Sequence, residues 1–109
     1  APFHAIAAAL QVARPDDAVT VAFLEGMAPA LAEAVAAQVA RGTTDITVWP
    51  LFLAPGGHIK RDLPALVQAA IARHPGVHIA IAPTIGTLAA VQSAIAAAII
   101  SATEEASHA

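Results

Sequence analysis

Residues 45–82 read DITVWPLFLAPGGHIKRDLPALVQAAIARHPGVHIAIA, and this stretch decides the fold. Its first part, Asp45 to Phe52, places Ile46, Val48, Leu51 and Phe52 in a short apolar run that predicts a strand. Asp62 to Arg73 changes period. Leu63, Leu66, Val67 and Ile71 fall on one face of a helix that His74-Pro75-Gly76 stops. Val77 to Ala82 is again a strand. A strand, a helix of three turns and a second strand predict a right-handed crossover between parallel neighbours. The same alternation extends outward. Upstream lie a helix over Phe3–Ala13, ended by Arg14-Pro15-Asp16-Asp17, and a strand over Val19–Leu24. A helix over Pro29–Ala40 follows, with Leu31, Val35 and Val39 spaced by four and a glycine, Gly42, past its end. Downstream lie a helix over Thr87–Ser101 and a tail over 103–109, expected to fray. The order α-β-α-β-α-β-α predicts one α/β domain over residues 1–109, a parallel sheet covered by helices on both faces. Because every helix in such a winding joins two strands, a further strand of about six residues is expected before Ala1. The chain also begins without Met.

The 109 residues are 58% hydrophobic and 12% charged, against averages of ~45–50% and ~25% for soluble domains, which excludes disorder. Thirty-one alanines raise the apolar fraction without adding bulk. No apolar run reaches the ~18 residues of a membrane span. Val77 to Thr103, the longest uncharged stretch, is cut by Pro83, Gly86, Gln92 and Ser93. The absence of cysteine excludes disulfide frameworks, thiol nucleophiles and Cys-based zinc sites. A net charge of −3 gives no general attraction to nucleic acid or anionic membrane, so neither is expected as a partner. The N-terminus has no basic secretory region, and a cytoplasmic protein is expected. Gly-x-Gly-x-x-Gly, the Walker loop, Gly-x-Ser-x-Gly and His-Glu-x-x-His are all missing.

Ligands of open α/β sheets bind beyond the carboxyl ends of the strands. Three segments qualify: Glu25-Gly26-Met27-Ala28, Leu53 to His58, and Pro83-Thr84-Ile85-Gly86. His58 follows Gly56-Gly57, where the backbone can approach a ligand closely, and its imidazole can hold a metal or move a proton. An ordinary exposed loop histidine is the competing reading. Glu25 closes an apolar strand. It suits either a helix N-terminus or, beside His58 across adjacent strand ends, an N/O ligand pair for a divalent first-row metal. Two ligands are too few for a closed structural site and suit transient metal handling. Lys60 and Arg61 sit at a helix start, where cations oppose the dipole. They are either plain solvated charges or, with the helix amides, a seat for an anion. Met27 could line a pocket. Asp62, two residues before Pro64, reads as a structural N-cap. Trp49 reads as core, and His4, His74, His78 and His108 as background.

Three blocks carry a resemblance: Val21-Ala22-Phe23-Leu24-Glu25, Pro50 through Pro64 (PLFLAPGGHIKRDLP), and Arg73-His74-Pro75-Gly76. Together, over Ala1 to about Ile99, the chain resembles the small CbiX-type sirohydrochlorin chelatases, the second block being the most specific. The resemblance implies a chelatase-like (flavodoxin-like) three-layer α/β fold and insertion of Co²⁺ or Fe²⁺ into the tetrapyrrole sirohydrochlorin for cobalamin or sirohaem. The metal ion would be a substrate, with no cofactor permanently bound. It implies a homodimer, whose two chains build one cleft. It carries catalytic and metal-handling roles to Glu25 and His58, and substrate contacts to Gly56, Gly57, Lys60, Arg61 and Met27. The two cations would meet some of the substrate's eight carboxylates. The family's further histidine, in a His-Gly-Ser/Ala-Arg motif after the first strand, has no counterpart here; its strand would precede Ala1. A metal- or tetrapyrrole-binding protein of the same fold without turnover is the alternative expectation, and an interaction domain with no site is the third.

Overall fold

A computed structural model describes residues 2–24, 26–54 and 56–108, with side chains for all of these except residues 58–60, 107 and 108. The described elements are helix α1 (Pro2–Ala13), helix α2 (Leu31–Ala40), strand β1 (Asp45–Val48), helix α3 (Gly57–Arg73), strand β2 (His78–Ile81), a 3₁₀ turn (Ile85–Thr87) and helix α4 (Ala89–His108). β1 and β2 pair in parallel. The His78 N–H donates to the Thr44 carbonyl at 2.8 Å, and four residues further along both chains the Ala82 N–H donates to Val48 at 2.8 Å. The strand–helix–strand unit read from residues 45–82 is therefore present, and the α/β class is correct.

The chain forms two compact units. The first comprises Ala1–Ile46 and Leu66–His78, the second Thr47–Ala65 and Ile79–Ala109. In the first, Leu31, Ala34 and Val35 of α2 and Val67 and Ala70 of α3 are buried. Leu31 and Val35, and likewise Ala70 and Val67, are spaced for one helix face. The Glu33 side chain accepts the Ala30 N–H at 3.4 Å, which ties down the start of α2. Phe3 of α1 meets Phe23 edge-to-face, ring centroids 6.5 Å apart. Gly42 and Gly76 follow α2 and α3 with φ of 94° and 91°, the left-handed turn that ends a helix and that side chains resist.

The expected strand over Val19–Leu24 is not formed. A strand exists only through a neighbour's ladder. Here the Val19 N–H donates to the Gln11 side chain and the Phe23 N–H to the Pro29 carbonyl at 2.9 Å, while the Gln38 amide holds the segment's start by donating to the Ala18 carbonyl and the Thr20 hydroxyl. A single bridge, Phe23 with Ala30, remains.

In the second unit, Pro50, Leu63, Ile79 and Gly86 are buried. The pairing of β1 was expected to reach Phe52, and it does so through a turn instead of a strand. The Ile85 N–H donates to Pro50 at 2.9 Å and the Gly86 N–H to Phe52 at 3.0 Å. Between the Val48 and Pro50 carbonyls the partner segment advances three residues, Ala82 to Ile85, against two, and it carries Pro83, which has no N–H to give. Trp49, expected in the core, is 51% exposed. The strand alternates, with Asp45 and Thr47 exposed and Ile46 and Val48 half-buried, so Trp49 continues the exposed set.

α3 begins at Gly57, five residues before the predicted cap at Asp62. Asp62 and Pro64 lie inside the helix. α4 runs to His108, so residues 103–108, expected to fray, are helical. The Thr103 hydroxyl donates back to the Ile99 carbonyl at 2.7 Å, and alanine and glutamate around it are strong helix formers. Ile95, Ile99 and Ile100 of α4 stay exposed, as do Phe3, Ile6 and Leu10 of α1. Among the described residues no helix is long and apolar enough to cross a membrane.

Candidate functional site

The loop after β1 is the part of the second unit from which a site can be built. Trp49 to Ala54 leave the sheet edge with the Pro50 and Phe52 carbonyls held by amides of the 3₁₀ turn. Gly56 is exposed, and Gly57 opens α3. His58 is thus the second residue of a helix and not a loop residue, with Lys60 and Arg61 the fourth and fifth. Their backbone positions put all three within the first turn and a half, where free N–H groups and the positive end of the helix dipole gather. The side chains of His58 and Lys60 lie outside those described. The Arg61 side chain is 79% exposed, with its Nε 3.9 Å from Asp62 Oδ1. A cation at this end of a helix is unfavourable by itself and favourable beside an anion.

The other expected site residues belong to the first unit. Glu25 lies outside the described residues. Met27, next to Gly26 and ahead of α2, is 63% exposed. Among the described residues no three His, Asp or Glu side chains come together as a metal site. His78, read as background, opens β2 at its amino end, away from the loops that follow the strands. Arg14 pairs with Asp17. That hydrogen bond, and then the carboxylate's charge, hold the guanidinium above its ordinary value.

Sequence spacing gave no role to Gly86, although it lies in one of the three loops singled out. It is buried in the 3₁₀ turn, and a Cβ built on it would run into the backbone of Leu53. Its carbonyl accepts the Gln92 side-chain amide at 3.2 Å.

Two parallel strands joined by a helix place this chain among the α/β proteins, a class whose ligands sit beyond the carboxyl ends of the strands. A CbiX protein from Marinobacter aquaeolei VT8 has a similar crystal structure, with a TM-score of 0.79 and 29% identity over 99% of this chain and 88% of that one. The CbiX family model matches residues 1–102, and the chain belongs to that family. Among curated proteins it is similar to the sirohydrochlorin cobaltochelatase of Methanosarcina acetivorans, 40% identical over 53 residues, which is 49% of this chain and 41% of that protein. It is also similar to the sirohydrochlorin cobaltochelatase of Methanococcoides burtonii, 36% identical over 63 residues, 58% of this chain and 48% of that protein. The matched stretches therefore span less than half the length of these relatives.

Proposed function

We propose that the chain acts as a sirohydrochlorin chelatase, inserting a divalent cation, cobalt or iron, into the tetrapyrrole. The observation that carries this reading is the CbiX match across residues 1–102. Insertion exchanges two pyrrole N–H protons for one M²⁺, so the site must accept protons and hold a metal loosely enough to release it. A neutral imidazole at His58 does either, and a carboxylate such as that of Glu25 can by its chemistry hold a metal or take a proton. Lys60, Arg61 and the free amides of α3 receive substrate carboxylates, countering the net charge of −3 that opposes an anionic substrate. Gly56 and Gly57 leave room for the flat macrocycle, and the thioether of Met27 is of a kind that suits an apolar ligand face. A broad cleft calls for two copies of the chain, and the protein is assigned to the cytoplasm as a homodimer. The names of the relatives favour cobalt. Neighbouring metals in the Irving–Williams order bind such N/O sites similarly, so the ligands alone do not choose.

The test is absorbance of sirohydrochlorin with Co²⁺, and separately with Fe²⁺ under anaerobic conditions. The reading expects a protein-dependent, saturable insertion rate with one of the two metals. Rates equal to those without protein, for both metals, contradict it.

A further inference from the structure

We infer that Gly86 is a positioning residue for the chemistry proposed at His58, acting through the backbone of Leu53; the inference rests on the chelatase reading. All its parts lie within the second unit. The segment from Pro50 to Ala54 delivers the chain from the sheet edge to α3, and it is held by its backbone. Leu53's own residue surface is 71% exposed, so its side chain anchors little. Beyond the buried Pro50, what fixes the path of the segment is the pair of bonds from the Ile85 and Gly86 amides to the Pro50 and Phe52 carbonyls, at 2.9 and 3.0 Å.

Gly86 makes this contact possible. Its φ is not among the left-handed ones, so glycine is required there for space and not for conformation. Any side chain would put a carbon onto the Leu53 backbone, which cannot swing aside as a long side chain could. From Leu53 only Ala54, Pro55 and Gly56 intervene before α3, a reach of at most ~3.6 Å each. Among the described side chains of α3, Arg61 is exposed and Asp62 half-buried, and the first buried one is Leu63. The backbone path from Leu53 into the helix therefore bears on where its first turn, with His58, begins. Gln92 steadies the arrangement from α4 by donating to the Gly86 carbonyl.

Three variants test this. Gly86→Ala should lower kcat for insertion by about 10- to 100-fold, the effect of a misplacement near 1 Å, and change KM less than about three-fold. It should also shift the His58 imidazole resonance, assigned by its loss in His58→Ala. Gln92→Ala removes the supporting bond without adding an atom. It should move both readouts in the same direction by less, and it keeps the inference testable if Gly86→Ala does not fold. Gly76→Ala is the control. Its φ of 91° strains a turn in the first unit, lowering stability while leaving kcat and the His58 resonance as in the wild type. An unmoved His58 resonance and unchanged kcat in both Gly86→Ala and Gln92→Ala overturn the inference. So does a kcat loss that Gly76→Ala reproduces at equal loss of stability. If the wild type inserts no metal, the chelatase reading fails by itself, and the His58 resonance still decides whether Gly86 seats that residue.

Discussion

Ile99 lies on α4 with 61% of its surface exposed, and its neighbour Ile100 with 58%. If two copies pair through this helix, Ile99→Ala should weaken the pairing by a calculable amount. Full burial of an isoleucine side chain is worth about 1.5–3 kcal/mol, so completing the remaining three-fifths at an interface gives about 0.9–1.8 kcal/mol. A two-fold interface uses the residue twice, which doubles this to about 1.8–3.6 kcal/mol, or a dissociation constant raised about 20- to 400-fold. Alanine is the best helix former, and the position is exposed, so the fold of the single chain should be unaffected. Sedimentation equilibrium across nanomolar to micromolar concentrations measures both constants. Equal dissociation constants for wild type and Ile99→Ala would refute α4 as the pairing surface. A wild type that is monomeric at every concentration would refute the dimer.

Val35→Ala should lower stability by about 1.5–3 kcal/mol in urea titration, combining two lost carbons with the cavity they leave in the first unit. A loss below about 0.5 kcal/mol would show that this helix face is not packed as described. Arg14→Ala should leave the melting temperature unchanged, because its pairing with Asp17 is solvent-exposed. The raised guanidinium value means that any contribution of the pair is fully present below the ordinary arginine value and is lost only as pH rises beyond it. Arg14→Ala and wild type should therefore melt together throughout about pH 5 to pH 9, and a gap that opens within that range would contradict the assignment.

The strand–helix–strand unit was legible because its signals are local: apolar strands, a helical stripe from Leu63 to Ile71, and the stop at His74-Pro75-Gly76. The strand at Val19–Leu24 was misread because its propensity is real but its backbone N–H groups find partners that no local pattern announces, the Gln11 side chain for Val19 and the Pro29 carbonyl for Phe23. The start of α3 was misplaced because Asp62 and Pro64 resemble a cap and a first-turn proline. Proline inside a helix removes one bond, and the helix tolerates it. That error bears on function. The structure puts His58 at the second position of a helix, near that end's free amides, where the reading had put it in a loop. The grouping of Gly56, Gly57, His58, Lys60 and Arg61 was readable because they are neighbours in the chain. The contact of Gly86 with Leu53 was not. Those residues are far apart in sequence, and nothing in a lone glycine tells a tight backbone approach from a plain turn.

The most direct test of the chelatase account is the rate of Co²⁺ insertion into sirohydrochlorin at saturating metal and tetrapyrrole, measured for wild type and His58→Ala side by side. A general base or metal-passing imidazole is worth about 10²- to 10⁴-fold, so the account predicts a loss of at least about 100-fold in His58→Ala, with circular dichroism and melting unchanged. A His58→Ala protein that inserts cobalt at the wild-type rate would contradict it.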